Sequence, residues 1–305
     1  MWKELSWNST AGGVRSLIEK STGHNLARAS GGSLMQYQYQ TLDEDDFWVF
    51  MNATLKVQRE VAFGKANLTA NAPGIVSGYW VGKLTKMYRS KPQLQHDGPT
   101  DGSTEGGGVD SFLQLIEMPE KLHHDSGAPS AVWARFDLSR TEPRINVTLS
   151  LFNKTRTRLP EAHWMDFELA VPAGSTGSTP ADASGCDSWV VSKLNSTFCA
   201  TDVSLFGATH VHAVSDVDSA LKWETGGVAV GVRSLDAAVV ALEYKSALPE
   251  HVNRTVDDTG VQAASAYVNL INNFWTTNYP NWYPFSVGEG DEDAVFRFEL
   301  AVTVP

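Results

Sequence analysis

Residues 145–151 read INVTLSL, and every second side chain is apolar. Successive side chains of a β-strand point to opposite faces, so this alternation predicts a strand with one buried and one solvated face. The buried face would carry Ile145, Val147, Leu149 and Leu151. The stretch therefore indicates a sheet that covers a core on one side.

The same period of two recurs along the chain. It is found in residues 132–138, 228–232 and 295–303, and a further strand-like run occupies residues 265–272. Segments 97–108 and 172–185 are rich in Gly, Ser, Thr and Pro, which predicts loops between strand blocks. Many short strands separated by turn signals predict a β-sandwich, and 305 residues imply a large one. We expect a single all-β domain over residues 1–305.

Helix signals are scarce. The best candidate is the stretch LDEDDFWVFMNATL at residues 42–55, which has acidic residues in its first turn and Phe47, Phe50 and Met51 at helical spacing. We therefore predict one or two short helices beside the sheets.

The charge balance excludes several partners. The formal net charge is −11 and the pI is near 5.2. Basic residues do not cluster, which argues against nucleic acid as a partner. No uncharged apolar run is long enough to span a bilayer.

Two features favour a eukaryotic secretory route. Acceptor motifs for N-glycosylation occur at Asn8, Asn52, Asn67, Asn146, Asn153, Asn195 and Asn253. Cys186 and Cys199 flank a hairpin-like segment, and a disulfide between them would stabilise the fold by about 3 kcal/mol; two free buried thiols are the alternative. The N-terminal segment lacks the pattern of a signal peptide, so we expect either a removed signal or a piece of a longer protein.

Residues 272–285, NNFWTTNYPNWYPF, combine amides with aromatic rings and carry no charge. Aromatic faces suit the C–H faces of sugar rings, and amides pair with hydroxyls. The predicted carbohydrate surface consists of Asn272, Asn273, Trp275, Asn278, Tyr279 and Trp282. A plug in the core, with buried tryptophans and turn-capping asparagines, is the alternative.

A second polar block, NKTRTRLPEAHWMDF, spans residues 153–167. Arg158 could pair with Glu161 across the Leu-Pro turn, as a structural contact. Alternatively, Arg158 and Glu161 contact sugar hydroxyls, or Glu161 and His163 perform acid–base chemistry in a cleft. Glu161 and Asp236 could also form the carboxylate pair of a glycosidase, but the distance between them decides that chemistry.

Metal binding is not expected. His210 and His212 would point to the same side of a strand, but neither a third histidine nor a carboxylate lies near them in the sequence. His123 and His124 would point in opposite directions on an extended chain. We therefore predict no metal and no cofactor in this chain.

Several blocks together resemble a known group of proteins. They are IEKSTGHNLA (18–27), MQYQYQTLDEDDFWVF (35–50), MPEKLHHDSGAPSAVWARFDL (118–138), LFNKTRTRLPEAHWMDF (151–167), GATHVHAV (207–214), VGVRSLDAAVV (230–240), NLINNFWTTNYPNWYPF (269–285) and DAVFRFEL (293–300). Their order resembles the C-terminal region of glycosidase-like proteins related to glycoside hydrolase family 38, the α-mannosidases. The resemblance covers roughly residues 14–300.

The resemblance implies a large β-supersandwich of the galactose-mutarotase-like class. In the family, the catalytic Asp and the zinc ligands lie in an N-terminal domain, and no matching metal element occurs in this chain. The implied role is therefore a non-catalytic, carbohydrate-associated module that packs on a catalytic domain, and zinc would belong to that domain. Two alternatives stay open: a mutarotase-like or lyase-like enzyme that uses Glu161, His163, His212 or Asp236, and a purely structural packing domain.

Overall fold

The fold is taken from a computed structural model of the chain. The described residues are 2–28, 34–46, 74–90, 108–155, 157, 159–170, 189–193, 196–199, 210–212, 221–225, 228–242, 245, 264–273 and 293–303. The strands in chain order are β1 (Trp2–Trp7), β2 (Val14–Glu19), β3 (Leu34–Thr41), β4 (Gly78–Trp80), β5 (Lys83–Arg89), β6 (Val109–Glu117), β7 (Ala131–Ser139), β8 (Arg144–Phe152), β9 (Glu161–Leu169), β10 (Val190–Lys193), β11 (Ser196–Cys199), β12 (His210–His212), β13 (Leu221–Thr225), β14 (Val228–Ser234), β15 (Val239–Leu242), β16 (Ala264–Asn273) and β17 (Ala294–Thr303).

These strands form two antiparallel sheets. Within the described ranges, sheet A has eight strands in the order β1-β2-β3-β9-β16-β15-β12, with β4 paired to the end of β3. Sheet B has nine strands in the order β11-β10-β13-β14-β17-β8-β7-β6-β5. The prediction of a large all-β sandwich is confirmed.

The core lies between the sheets and is built by the alternation seen in the sequence. Ile145, Val147, Leu149 and Leu151 of β8 are all buried, and β7, β14 and β17 show the same alternating burial. The two sheets meet where the Phe167 ring of β9 packs 5.8 Å from the Phe298 ring of β17. Apolar side chains on one face of each sheet thus remove a continuous surface from water.

Helix is confined to short segments among the described residues. Residues 44–46 are helical, inside the predicted helix 42–55. Leu42 and Asp43 are described but not helical, and residues 47–55 lie outside the described part. A second helix, Glu120–Ser126, agrees with the expected one or two short helices, although the sequence did not locate it. It ends at Gly127, whose φ of 75° is left-handed. This helix carries His123 and His124, so the expectation that they lie on an extended chain is wrong. No helix in the described part is long and apolar enough to cross a membrane.

The two predicted loops fall almost entirely outside the described residues, with only Gly108 of segment 97–108 included. Strands β10 and β11 form the hairpin expected between the cysteines, and Val190 pairs with Cys199. Cys186 lies outside the described residues, so the disulfide stays a prediction.

Candidate functional site

Strand β9 brings the second polar block into the centre of sheet A. A Leu-Pro turn was expected between Arg158 and Glu161. Residues 161–167, which follow it, are all buried in a strand that pairs with β3 on one side and β16 on the other. Odd-numbered side chains of β9 face the core, as Met165 and Phe167 do. Glu161 and His163 share this face, so both point into the space between the sheets.

Glu161 is a buried carboxylate surrounded by donors. Lys154 Nζ lies 2.7 Å from Oε1, and Asn273 Nδ2 lies 3.3 Å from the same oxygen. Tyr39 donates its hydroxyl to Oε2 at 2.6 Å. The Lys154 side chain is only 7% exposed and that of Glu161 only 2%, so both charges of this ion pair are out of water.

His163 lies beside this pair. Its Nδ1 forms a 2.8 Å hydrogen bond with the Tyr37 hydroxyl, and its ring meets the Tyr39 ring edge-on at 4.9 Å. Nε2 is 3.6 Å from Glu161 Oε2, which is too long for a hydrogen bond, and no described residue provides it with another partner. We refer to Lys154, Glu161, His163, Tyr37, Tyr39 and Asn273 as the core network.

Electrostatics hold the core network in one protonation state. Burial alone would raise the pKa of the Glu161 carboxyl, but the Lys154 ammonium and His163 outweigh it and lower that pKa to about 2. Burial lowers the pKa of His163, and the opposing effect of Glu161 is smaller. At neutral pH, Glu161 is therefore ionised and His163 is neutral. A general acid requires the opposite, a raised carboxyl pKa.

Asp236 has a different partner. Its carboxylate accepts hydrogen bonds from Arg297 Nη2 at 2.8 Å and Nε at 3.0 Å, and from the Arg297 backbone N–H at 2.8 Å. The Arg297 hydrogen bonds lower the pKa of Asp236 further than burial raises it. The structure thus places His163 beside Glu161, whereas Asp236 forms a bidentate ion pair with Arg297.

The other face of sheet A carries a second polar group. Lys245 Nζ lies 2.8 Å from Asp166 Oδ2 and also donates to Gln38 Oε1. The ammonium is 5.1 Å from the ring centre of Tyr79 and 4.7 Å from that of Tyr267. We call Gln38, Tyr79, Asp166, Lys245 and Tyr267 the outer-face cluster.

The polar block 153–167 contains Asp166, but the sequence did not indicate the rest of the outer-face cluster. A signal was present in MQYQYQT, residues 35–41, where tyrosines alternate with glutamines. The tyrosines point into the core network, and Gln38 and Gln40 point outward, where Gln40 accepts a 3.0 Å hydrogen bond from the buried Trp164 indole. The contact between Lys245 and Asp166 could not be predicted from sequence, because the two residues are 79 positions apart.

The predicted carbohydrate residues divide between the two faces of sheet A. Asn272 pairs in register with Ala162 and points outward, partly exposed. Asn273 points inward and donates to Glu161 and to the Thr157 carbonyl. The remaining predicted positions, Arg158, Trp275, Asn278, Tyr279 and Trp282, lie outside the described residues.

The acceptor motifs and histidines can be placed only in part. Asn146 and Asn153 are exposed and Asn8 is partly exposed, whereas Asn52, Asn67, Asn195 and Asn253 lie outside the described residues. His210 and His212 are on the short strand β12, whose side chains are not described. Among the described residues, no group of three His, Cys, Asp or Glu side chains could hold a metal ion.

The chain is similar to known proteins in structure but not detectably in sequence. No known protein family and no curated protein matches the sequence. Solved structures do match, and they include one titled a protein in glycosyl hydrolase family 38 from Enterococcus faecalis and one titled an α-mannosidase from Enterococcus faecalis V583. The identities are 9% and 8%, and the TM-score is 0.48 for both.

The match covers 98% of this chain but only 29% and 28% of the two solved chains. At this identity and TM-score, function has to be argued from the chain's own residues. Nearly the whole chain is therefore similar in structure to part of each of these two larger chains.

Proposed function

We propose that the chain is a non-catalytic, carbohydrate-associated β-sandwich of a family 38-like glycoside hydrolase in the secretory pathway. The observation that supports this most directly is the closed core network. Glu161 and His163, the best acid–base candidates, are buried between the sheets, and Lys154, Tyr39 and Asn273 occupy the carboxylate. A substrate would have to displace these partners to reach it.

The carbohydrate role rests on the outer face of sheet A. Asn272 begins the amide- and aromatic-rich segment 272–285 and points to the same face as the outer-face cluster. On that face Tyr79 is 45% exposed, and the Gln38 and Asn272 amides are partly exposed, whereas the Asp166 carboxylate is buried. The accessible phenol and amide groups supply both donors and acceptors for sugar hydroxyls. In this proposal, Trp275 and Trp282 supply the stacking surface, and a catalytic domain packs nearby.

A glycan-array screen of the purified chain tests the proposal. We expect binding that is lost in Trp275→Ala and Trp282→Ala. Binding should be kept in Trp7→Phe, a control at a partly buried tryptophan of β1 that packs against Phe112 and Phe136. No binding of the wild type to any glycan would contradict the carbohydrate role.

The enzyme alternative makes a different prediction. It requires turnover of a sugar substrate by the wild type and loss of turnover in a folded Glu161→Gln variant. We expect no turnover to begin with, because an ionised Glu161 with a pKa of about 2 is a weak base and no proton donor.

The packing-domain alternative is supported by exposed apolar side chains on sheet B. Tyr88 is 50% exposed and Val295 is 53% exposed. Such surface often marks a contact with another domain. This alternative predicts no glycan binding and a stable complex with a separately produced catalytic domain.

A further inference from the structure

The solvent face of sheet B carries an aromatic pair. Tyr88 of β5 stacks on Trp133 of β7, with ring centroids 6.2 Å apart and an interplanar angle of 25°. The intervening strand β6 places Leu113 in register with Tyr88 and Leu115 in register with Trp133. We call these four residues the outer aromatic patch. Tyr88 is half exposed and the other three are partly exposed, so the patch presents apolar surface to water.

The acceptor Asn146 lies on the same face of the same sheet. Its register partners are Asp137 on β7 and Glu299 on β17. Asn146 is exposed, and its side chain alternates with the buried Ile145 and Val147. A glycan at Asn146 would therefore leave the sheet on the side where Tyr88 and Trp133 are exposed.

The surface between Asn146 and the patch is suited to a sugar chain. Trp133 pairs with Ser150, which is four residues from Asn146 on β8, about 13 Å along the strand. A few linked sugar rings span that distance. The intervening positions carry the Thr148 and Ser150 hydroxyls and the Arg135 guanidinium, which Asp137 holds at 2.9 Å. These groups can hydrogen-bond sugar hydroxyls, and the Tyr88 and Trp133 rings can pack against sugar C–H faces.

We propose that an N-linked glycan on Asn146 lies over the outer aromatic patch and shields it from water. The glycan is the occupant that the chain itself supplies on that face, and its covalent attachment makes the contact intramolecular, which raises its effective concentration. The inference goes beyond the proposed function, because it requires passage through the secretory pathway but no sugar recognition by segment 272–285.

The experiment compares two substitutions at one position. Thr148→Ala removes the acceptor motif at Asn146, whereas Thr148→Ser keeps it. Both variants and the wild type are secreted from a eukaryotic host, glycopeptide mass spectrometry measures occupancy at Asn146, and hydroxyl-radical footprinting measures oxidation of Tyr88 and Trp133. The other six acceptor motifs are identical in all three proteins, so any difference reports on the Asn146 glycan.

We expect Asn146 to be occupied in the wild type and in Thr148→Ser. Oxidation of Tyr88 and Trp133 should be several-fold higher in Thr148→Ala and in wild type treated with a glycosidase. An unoccupied Asn146, or equal oxidation in all proteins, overturns the proposal. Protection that appears only on addition of a separate protein domain would instead identify the patch as a docking surface.

Discussion

Lys154 Nζ lies 2.7 Å from Glu161 Oε1, and both side chains are buried at the end of the sandwich core. Lys154 follows β8 of sheet B and Glu161 begins β9 of sheet A, so the ion pair spans the connection between the sheets. The lysine also donates to the Thr155 carbonyl at 2.8 Å, which fixes the connecting segment. A buried pair of this kind is sensitive to the loss of one partner.

Lys154→Met should lower the free energy of unfolding by about 3 to 5 kcal/mol, because it leaves the Glu161 carboxylate buried without its cation. The double variant Lys154→Met/Glu161→Leu should be more stable than Lys154→Met alone, since neither charge then remains. Urea unfolding of the two variants and the wild type measures both differences. A double variant less stable than Lys154→Met would contradict this account.

The free energy of unfolding should fall as the pH is lowered, first below pH 6.5 because of His163 and again below pH 4.5 because of Glu161. His163 has a folded pKa below its usual 6.5, so below pH 6.5 protons bind preferentially to the unfolded chain and stability decreases. Glu161 has a folded pKa of about 2 against 4.5, so its contribution is present above pH 4.5 and is lost as the pH falls towards 2.

Glu19 adds to the lower window. Burial alone would raise its pKa, but hydrogen bonds from Ser21 and Thr22 lower it to about 2. Thermal unfolding midpoints from pH 8 to pH 2 measure the whole dependence. Glu161→Gln should flatten the window below pH 4.5, and an unchanged profile in this variant would refute the assignment.

Gly127→Ala tests how the helix Glu120–Ser126 is joined to the core network. At a φ of 75°, an alanine Cβ would lie 2.5 Å from Thr157 Cγ2 and 2.7 Å from the Thr155 carbonyl oxygen. Gly23 is the matched control, since its φ is 70° but nothing lies within 4 Å of an added Cβ. Gly23→Ala should destabilise by about 1 kcal/mol from backbone strain alone. Gly127→Ala should cost clearly more in chemical denaturation, and equal effects would exclude the steric contribution.

Lys245→Met tests the outer-face cluster. The substitution removes the cation that contacts Asp166 and lies 5.1 Å and 4.7 Å from the Tyr79 and Tyr267 ring centres. We therefore expect a loss of about 3 kcal/mol in unfolding free energy. Lys86→Met, on the exposed strand β5, is the control and should change stability by less than about 0.5 kcal/mol. Similar values for the two variants would show that the cluster adds little to the fold.

The sequence alone was sufficient for the fold class. The alternation around Ile145 and Phe298 predicted strands, and those strands have the predicted buried faces, because a period of two leaves only one face for the core. The position of the helix Glu120–Ser126 could not be predicted, because the helix has only seven residues and its buried side carries one apolar residue, Leu122.

What the tertiary structure decided is the role of each polar residue. From the sequence, Arg158 and Asp236 were alternative partners for Glu161. In the folded chain its partners include Tyr39 and Asn273, which are 122 and 112 residues away. The register between strands determines such partners. The sequence around a polar strand residue does not show whether another sheet or loop covers its face. Strand periodicity is a local property that sequence expresses, while burial and pairing of charges depend on strands that meet only after the sandwich has formed.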